Sequence, residues 1–564
     1  MIDAPHDVTD LGQLLRRRAV AQPDRVACQH VGIEDRITER LTYADLHRRA
    51  LAVAAQLITM TEPGDRVLLL HPSGVDFTAA LFGCFYAGVT AVPAPLPQQG
   101  ERAIAHLAAL ADDARPALTV TTAAVAAQLG GRAPAAFGPV VVAADTYDVA
   151  PLYRRCDVAV LQYTSGSTGV PRGVLITHKN YLHNLRMLTD FTHALAPQPA
   201  HLRTVSWLPH FHDMGLALMM YTALHGGTMT LIPPMAFLLR PFVWLRVVSA
   251  VGGTLTAAPN FAFDQCVRKV TAEQRDTLDL RTLSVVLNAA EPVRPRTLAQ
   301  FAAHFGPSGF RAEAFAPCFG LAEGTVFVSG LRHGGTPRVV SFDRRGLQDG
   351  VAVPNADPGA SRALVGCGHR PEGLTVRIVD PTHHAERAPG EVGEIWVQGP
   401  SVGMGYWRRP AETTATFGGR LAGFDERLYL RTGDLGFLRE GELFIVGRLA
   451  DVITVDGRSV HPQDVEYTVQ GSDPAFEGRR CVAVAHGAAQ RLAVAVEVRV
   501  AFPLEESRRE ALAATVRAAV AAEHGVDVAD VLLLPVGALP VTTSGKVRRA
   551  ACRELLLAGA ATVH

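Results

Sequence analysis

The stretch that decides the fold is residues 157–173, DVAVLQYTSGSTGVPRG. The apolar run Asp157–Leu161 has the composition of a buried strand, and a loop rich in glycine and hydroxyl residues follows it directly. Glycines let backbone N–H groups line a concave turn and hydroxyls add donors, so such a loop can hold phosphate groups. It lacks the Walker A pattern. A flexible linker is the weaker interpretation, because a linker has no need to follow a strand or to end in Pro-Arg-Gly.

The chain around this loop alternates helix and strand patterns. Leu46–Ile58 predicts an amphipathic helix after a possible cap at Thr42, and Arg66–Leu70 predicts a buried strand. An apolar helix at Phe77–Gly88 and a strand at Thr90–Val92 come next. This rhythm predicts a mostly parallel sheet with helices on both faces. The same strand pattern recurs at Thr204–Leu208, Thr228–Ile232 and Ser284–Leu287.

The pattern changes twice towards the C-terminus. After about residue 330, short alternating strands predict a β-rich subdomain, with strands at Thr375–Val379, Glu394–Val397 and Leu443–Val446. From about Gly447 a compact α+β unit follows, with strands at Asp451–Val455, Cys481–Ala485, Leu492–Val498 and Val531–Pro535 and helices at Gln463–Val469 and Glu505–Glu523. We therefore expect an α/β protein with a large N-terminal domain over residues 1–447 and a small, mobile domain over residues 448–564.

Composition restricts the class of protein. The 564 residues are 48% hydrophobic and 19% charged, and 54 basic residues balance 54 acidic ones. A folded chain is indicated, and global charge favours neither nucleic acid nor an anionic membrane as a partner. The eight cysteines form no C-x-x-C pair, which fits free thiols in a reducing cytosol. The N-terminus does not resemble a signal peptide and no apolar run is long enough for a membrane span, so we expect a cytoplasmic protein.

Four motifs follow the loop in order, and together they resemble the adenylate-forming superfamily, which includes acyl-CoA synthetases, peptide-synthetase adenylation domains and luciferases. The loop Thr164–Gly173 is similar to that family's phosphate loop. The aromatic-Gly-x-[ST/A]-Glu motif, the T-G-D motif, the hinge motif and the C-terminal lysine motif are matched by Phe319–Glu323, Tyr429–Asp434, Gly447–Arg448 and Pro540–Lys546. An ordered set of motifs is more specific than any single one.

The resemblance implies ATP and Mg²⁺ as cofactors and gives each motif a role. Glu323 and Thr168 would hold Mg²⁺, a hard cation that prefers oxygen ligands. Phe319 would stack on adenine beside Gly320, and Asp434 would bind the ribose with Arg448 close by. The phosphates would lie against Thr164, Ser165, Gly166, Ser167, Thr168, Gly169, Arg172 and Gly173.

The catalytic lysine of this family corresponds to Lys546, which would contact both the carboxylate and the α-phosphate. Both reactants are anions, so catalysis rests mainly on positioning and charge neutralisation. Taken singly, Lys546, Glu323 and Asp434 would be ordinary surface charges. Their motif contexts make them candidates for the site.

Other stretches narrow the resemblance to the fatty acyl-AMP ligases: Trp207–Leu216, Pro259–Asp264, Asn288–Val293, and 456–458 with 462–466. His212 belongs to the first stretch and is a catalytic candidate, although His212-Asp213 is also typical of a hydrogen-bonded pair at a helix start. Ala290 and Glu291 belong to the third and would join the nucleotide pocket. A fatty acid tunnel could use the apolar runs Leu216–Tyr221 and Phe237–Leu239, although such runs are more often core.

The segment between Gly330 and Cys367 is longer than in typical acyl-CoA synthetases. Fatty acyl-AMP ligases carry an insertion here that is associated with restraining the C-terminal domain and disfavouring CoA. A variable surface loop is the alternative interpretation.

Four residues depart from the family pattern. Arg172 replaces the lysine of Pro-Lys-Gly, Ala289 replaces a glycine, Ala450 stands at the hinge and His461 replaces a tyrosine. None of these changes removes a proposed catalytic group.

The resemblance implies that a fatty acid is activated as acyl-AMP with release of pyrophosphate. The acyl group would then pass to the phosphopantetheine thiol of an acyl carrier protein acting in trans, because no region resembles a carrier. One alternative is an acyl-CoA synthetase that uses CoA. Another is a non-catalytic adenylate-binding regulatory protein, against which the intact Glu323, Asp434 and Lys546 argue.

Overall fold

The computed structural model describes residues 8–32, 34–96, 101–130, 133–147, 153–164, 171–195, 199–331, 335–423, 426–455, 458–486, 490–500, 503–541 and 547–560. The eight cysteines, all within these ranges, are free thiols. In the same part of the chain, no helix is long and apolar enough to cross a membrane.

The strands, in chain order, are β1 Val26–Val31, β2 Ile37–Thr42, β3 Arg66–Leu70, β4 Thr90–Pro93, β5 Leu118–Thr121, β6 Val140–Val142, β7 Val158–Thr164, β8 Arg172–Thr177, β9 Arg203–Ser206, β10 Thr228–Leu231, β11 Leu255–Ala258, β12 Val285–Asn288, β13 Phe315–Gly320, β14 Phe327–Gly330, β15 Val339–Asp343, β16 Ser361–Val365, β17 Thr375–Val379, β18 Gly393–Gln398, β19 Leu430–Arg439, β20 Glu442–Arg448, β21 Ile453–Val455, β22 Arg458–Val460, β23 Cys481–His486, β24 Arg491–Glu497 and β25 Val528–Leu534.

The helices are α1 Leu11–Ala21, α2 Tyr43–Ile58, α3 Val75–Ala87, α4 Glu101–Ala114, α5 Ala123–Leu129, α6 His178–Leu195, α7 Asp213–Leu224, α8 Pro234–Leu239, α9 Phe242–Val251, α10 Asn260–Lys269, α11 Ala272–Arg275, α12 Pro295–Phe305, α13 Arg344–Gln348, α14 Pro410–Phe417, α15 Pro462–Ser472, α16 Glu506–His524 and α17 Arg549–Ala560.

Two largely parallel sheets carry the N-terminal part of the chain. One has the order β14-β13-β12-β11-β9-β10-β1-β2 and the other β6-β5-β3-β4-β7-β8. Edge strands β14, β2 and β8 are antiparallel to their neighbours. The α/β prediction is confirmed, but the helix-and-strand rhythm did not reveal that the strands divide between two sheets, because strand pairing is a long-range property.

Local signals explain several element ends. Thr42 caps α2 in a capping box with Asp45, so the helix begins at Tyr43, three residues before the predicted start. Gly88 ends α3 in the left-handed region at φ 67°, as glycine permits. One predicted strand start is wrong: Asp451 lies in a 3₁₀ turn, Leu449–Asp451, and β21 begins at Ile453. The carboxylate of Asp451 lies 3.3 Å from the Nε of Arg549, an ion pair that no local pattern encodes.

After β14 the chain forms a β-rich part, and an α+β part follows it. Strands β17 to β20 form an antiparallel sheet, and β15 pairs with β16. The last sheet joins β23, β24 and β25. The buried apolar side chains of its core run from Ile453 to Leu533 and form a cluster separate from the main core, whose members run from Val8 to Leu443.

Candidate active site

A single cleft of about 2500 Å³ opens between these parts of the chain. Many of the side chains selected from the sequence motifs line it, although they come from distant elements. The predicted site residues on its wall are Thr164, Arg172, His212, Ala290, Glu291, Phe319, Gly320, Glu323, Asp434 and Arg448. Ser165, Gly166, Ser167, Thr168, Gly169 and Lys546 lie outside the described residues.

The two ends of the phosphate-loop candidate are held by adjacent antiparallel strands. Thr164 at the end of β7 pairs with Arg172 at the start of β8, and Tyr163 pairs with Gly173. A Cβ at Gly173 would lie 2.8 Å from Leu161 Cδ1, so a larger residue would crowd the strand behind it. The hydroxyl of Tyr163 donates to Asp113 Oδ2 at 2.7 Å. Gly173 therefore supports the base of the loop without forming part of the cleft wall.

Arg172 is oriented by two neighbours. Its Nε lies 2.9 Å from Glu412 Oε2, and its guanidinium lies 5.7 Å from the ring centroid of Tyr406. The planar group can make both contacts at once, which a lysine ammonium cannot do in the same way. The departure from the family's lysine thus comes with contacts suited to arginine.

Glu323 lies in the short 3₁₀ turn Ala322–Gly324 and accepts a hydrogen bond from Tyr406. The phenolic oxygen is 2.7 Å from Glu323 Oε1. Burial, and then the nearby carboxylate, raise the pKa of Tyr406, so the phenol stays protonated as a donor. Tyr406 consequently links Glu323 to Arg172.

The backbone around Glu323 is tightly constrained. A Cβ at Gly320 would lie 1.7 Å from the carbonyl oxygen of Val326, which explains the glycine of the motif. Thr325 is buried at φ 72°, an unfavourable region for a β-branched residue, and its hydroxyl donates to the Ser401 carbonyl at 2.6 Å. The hydrogen bond to Ser401 and the burial of Thr325 stabilise this strained conformation next to the turn that presents Glu323.

The loop after β12 forms another wall. Ala289 is buried on the cleft and Ala290 takes φ 71°. Glu291 Oε1 accepts from the backbone N–H of Phe261 at 2.5 Å, which ties this loop to the start of α10. Asn260, the first residue of α10, accepts from the Arg294 N–H at 3.0 Å.

Asp434 and Arg448 face one another across strands β19 and β20. The Arg448 Nε donates to Asp434 Oδ1 at 3.0 Å, and the carboxylate raises the pKa of Arg448. Asp434 is buried, whereas the Arg448 side chain is 54% exposed. The pair therefore presents one oriented carboxylate at the cleft, and its partner Arg448 belongs to the predicted hinge motif.

His212 is the N-cap residue of α7, but its side chain makes no capping hydrogen bond. Asp213 Oδ1 accepts from the Met214 N–H at 2.7 Å. His212 therefore lies at the start of a helix, as the alternative interpretation predicted. It also lines the cleft.

The flanks of the C-terminal lysine loop come together. Val541 and Val547 form a β-bridge, and the Arg548 N–H donates to the Pro540 carbonyl at 2.9 Å. Arg549, at the start of α17, forms a bidentate ion pair with Glu466 and a second pair with Asp451. These contacts join the start of α17 to Asp451, which follows the predicted hinge motif Gly447–Arg448, and to helix α15.

An apolar wall occupies another part of the cleft. It includes Leu188, Ala217, Leu218, Leu287, Cys318 and Phe327. Ala217 and Leu218 belong to the first run considered for a fatty acid tunnel, and a role for that run in binding an acyl chain stays a prediction. Phe237 is fully buried and stacks on Trp207 with centroids 3.8 Å apart, and Leu239 is 71% exposed, whereas Leu238 lines the cleft.

The extended segment after Gly330 packs as part of the fold and is not a loose loop. Phe342 and Leu347 are buried against Phe437 and Phe444. Two of its arginines reach C-terminal helices: Arg344 Nη2 lies 2.6 Å from Glu523 Oε1, and Arg362 Nη2 lies 2.9 Å from Asp464 Oδ1. The Gly350–Ser361 stretch between them contains no helix and ends where β16 begins.

No group of three or more His, Cys, Asp and Glu side chains suited to a metal occurs within the described ranges. Glu323 is the predicted Mg²⁺ ligand that these ranges include, and its carboxylate lines the cleft. An oxygen donor of this kind suits Mg²⁺, which usually keeps several water and phosphate ligands.

The sequence did not identify Tyr406 or Glu412. Tyr406 lies 83 positions from Glu323, and Glu412 meets Arg172 only through folding. Neither residue lies in one of the sequence motifs that resemble the adenylate-forming superfamily.

Comparison with known proteins agrees with this geometry. A family model described as AMP-binding enzyme matches residues 15–407. The chain belongs to this family. It is 37% identical to the medium-chain-fatty-acid–[acyl-carrier-protein] ligase JamA of Moorena producens, over 98% of this chain and 96% of JamA. FadD21 of Mycobacterium tuberculosis, provisionally named a fatty-acid–CoA ligase, is 40% identical over 96% of each chain.

A solved structure from a study of fatty acyl-adenylate ligases of E. coli and L. pneumophila has a TM-score of 0.86, with 32% identity over 99% of each chain. Within the AMP-binding family this protein is therefore a ligase of the fatty acyl-AMP ligase group.

Proposed function

We propose that this AMP-binding enzyme joins a fatty acid to AMP, with ATP as the nucleotide and pyrophosphate as the second product. The observation that carries the proposal is the shared cleft. In it the base of the phosphate loop, Glu323 and the Asp434–Arg448 pair face the same space as an apolar wall. A charged nucleotide and an apolar acyl chain are thereby accommodated side by side.

In the proposed reaction, a carboxylate oxygen of the fatty acid attacks the α-phosphorus of ATP. The bond from that phosphorus to the pyrophosphate oxygen breaks, and pyrophosphate leaves. The carboxylate of Asp434, fixed by Arg448, would accept hydrogen bonds from the ribose hydroxyls. Phe319 would stack on the adenine, with Ala290 and Glu291 on the adjoining wall. Each group places the α-phosphorus relative to the acid.

Charge neutralisation would come from two cations, Arg172 and Lys546. Arg172 lies at the base of the phosphate loop, and Lys546 lies on the loop closed by Val541 and Val547. Preformed positive groups stabilise charge that develops in the transition state without reorganising at that moment. His212 would complete the wall on the side of the acid.

Mg²⁺, held by Glu323 with Thr168, would neutralise phosphate charge when bound. Tyr406 fits this role because its donated hydrogen bond fixes one oxygen of Glu323.

We infer that the acceptor is the phosphopantetheine thiol of a separate acyl carrier protein. The thiolate attacks the acyl carbonyl carbon, the carbonyl–phosphate bond breaks and AMP leaves. JamA is named for such an acceptor. The ion pairs from Arg344 and Arg362 to C-terminal helices support restraint of residues 448–564 as a small second domain beyond residues 1–447. Free cysteines support a cytoplasmic location.

The test is incubation with ATP, Mg²⁺ and fatty acids of graded chain length, with hydroxylamine to trap the adenylate as hydroxamate. Hydroxamate and stoichiometric pyrophosphate are expected. Absence of hydroxamate with every acid would favour a non-catalytic adenylate-binding protein. A second incubation offers either CoA or a holo acyl carrier protein as acceptor. Efficient acyl-CoA formation would favour an acyl-CoA synthetase, as the provisional name of FadD21 suggests for that relative.

A further inference from the structure

A group of exposed or half-buried cations lines part of the cleft. Arg268 and Lys269 end helix α10, and Arg296 lies in the first turn of α12. Arg479 and Arg499 come from the C-terminal part of the chain. All five line the cleft, and all except the half-buried Arg479 are exposed. We call these five residues the basic rim.

The basic rim lacks carboxylate partners. Within the described ranges, none of its five members has a carboxylate oxygen within 4.0 Å, whereas neighbouring Arg480 lies 3.9 Å from Glu497. Asp264 and Glu477 are the carboxylates that act electrostatically on Arg268. Burial raises the pKa of Asp264, and these two carboxylates are fewer than the five cations of the rim. The rim therefore carries a net positive charge.

Its members also repel one another. Partial burial lowers the pKa of Arg268; the carboxylate of Asp264 opposes this effect, and the charges of Arg479 and Arg499 add to it. The Nη1 atom of Arg268 would lie 1.5 Å from a Cβ at Gly478, which takes φ 65°. The guanidinium thus lies directly against the backbone beside Arg479, a position that only glycine leaves open. Asp264 and Glu477 offset part of this repulsion, and an anionic partner would offset more of it.

Arg268 and the loop that carries Glu291 lie at opposite ends of helix α10. Helix α10 begins at Asn260 and Phe261, which contact the loop that carries Glu291. Eight residues further on, at about 1.5 Å per residue, Arg268 lies roughly 12 Å along the helix axis. A pantetheine arm has about 13 bonds from sulfur to phosphorus and spans roughly 16 Å when extended. A carrier whose thiol reaches the cleft would hold its own surface over the rim.

We propose that the basic rim is a docking surface for the acidic face of an acyl carrier protein. The proposal rests on the proposed function and names the partner surface that its second step requires. Complementary charge there accelerates encounter and fixes the orientation of the arm, and it leaves the formation of the adenylate untouched.

The test uses the double variant Lys269→Glu/Arg499→Glu in the full-length enzyme. Acyl-adenylate is first formed on the enzyme, and single-turnover transfer is then followed to an acidic holo acyl carrier protein, to free phosphopantetheine and to uncharged pantetheine. Arg311→Glu is the matched control, because Arg311 is exposed, belongs to the same N-terminal part of the chain and does not line the cleft.

The double variant should slow transfer to the carrier protein about tenfold or more at low salt, as expected when steering charge is reversed. Its salt dependence should also weaken. Transfer to pantetheine and the hydroxamate yield should stay unchanged, and Arg311→Glu should match the unaltered enzyme.

An unchanged carrier rate, or an equal loss with pantetheine, would overturn the docking surface. Equal losses with the carrier and with free phosphopantetheine would also overturn it, because the rim would then bind only the phosphate. A failure of the unaltered enzyme to form adenylate would instead count against the proposed function, so the two failures are distinguishable.

Discussion

The phenolic oxygen of Tyr406 lies 2.7 Å from Glu323 Oε1, and the ring of the same tyrosine lies beneath the guanidinium of Arg172. One side chain therefore positions both the proposed metal ligand and the cation at the base of the phosphate loop. The loop assigned to phosphate from sequence is thus supported by a residue outside every motif.

Tyr406→Phe removes the donor to Glu323 and keeps the ring under Arg172. A hydrogen bond to a charged group contributes about 1.5–3 kcal/mol, so adenylate formation should fall about tenfold or more. The Mg²⁺ concentration for half-maximal rate should rise, while the melting temperature stays nearly constant. Hydroxamate formation across a Mg²⁺ titration measures both the rate and the half-maximal Mg²⁺ concentration. Tyr153→Phe, a half-exposed tyrosine away from the cleft, is the control. An unchanged Mg²⁺ response would exclude the positioning role.

Two substitutions of Arg172 separate the effect of its positive charge from the effect of its planar guanidinium. Arg172→Lys keeps the positive charge but loses the planar contact with Tyr406, so adenylate formation should stay within about threefold of the unaltered enzyme. Arg172→Met should reduce it by about tenfold or more, since removing one charged contact to an anion costs about 1.5–3 kcal/mol. Steady-state pyrophosphate release at several ATP concentrations distinguishes the lysine variant from the methionine variant. Equal activity of the methionine variant would show that the cation is dispensable.

Lys546→Ala should reduce adenylate formation by about a hundredfold, because removing a preorganised charge at the reacting atoms typically costs that much. The melting temperature should not change, since the β-bridge between Val541 and Val547 remains. Transfer of a preformed acyl-adenylate to a thiol should be affected far less. Lys179→Ala, an exposed residue of α6, serves as the control. Full adenylation activity in the alanine variant would remove Lys546 from the mechanism.

Much of this fold was predictable from the sequence, because apolar runs and helix caps are local signals. Arg66–Leu70 was placed to the residue, and Thr42 was identified as a cap. Partnerships across the fold were not predictable. Tyr406 with Glu323 and Arg549 with Asp451 join residues whose spacing carries no periodic signal. Ala290 shows a second limit: its positive φ follows from the surrounding loop, whereas its side chain gives no indication of it.

Acid should destabilise this protein through its buried histidines. Burial lowers the pKa of six of them: His71, His178 and His524 to about 4, and His210, His225 and His461 to about 3. Unfolded histidine titrates near 6.5, so below that pH the unfolded state binds more protons than the native state. Their contribution to stability is therefore complete above about pH 6.5 and is lost as the pH falls towards 4.

The free energy of unfolding should thus decline between pH 6.5 and pH 4.5, by about 1.4 kcal/mol per pH unit for each proton taken up. His210→Leu should reduce that slope by about one proton, because neither ring nitrogen of His210 has a hydrogen-bond partner among the described residues. Urea unfolding at a series of pH values measures the slope. His383→Leu, at an exposed site, is the control. An identical slope in the His210 variant would contradict the assignment.

Arg344 and Arg362 connect the extended segment after Gly330 to helices α16 and α15. Deleting the whole segment would remove β15 and the buried Phe342, so charge removal is the cleaner test. Arg344→Met/Arg362→Met keeps most of the side-chain bulk and removes both ion pairs. Breaking partly buried pairs costs more than breaking exposed ones, so residues 448–564 should become more mobile. Cleavage near Gly447–Arg448 by limited proteolysis should accelerate, and CoA should become a measurable acyl acceptor.

Arg345→Met separates this effect from a general loss of charge, since Arg345 adjoins Arg344 but is exposed and forms no ion pair within the described ranges. It should leave both cleavage and acceptor preference as they are. Faster cleavage of the double variant without acyl-CoA formation would mean that the ion pairs restrain the domain but do not select the acceptor. The discrimination against CoA would then have to come from the shape of the thiol's path into the cleft, which charge removal leaves intact.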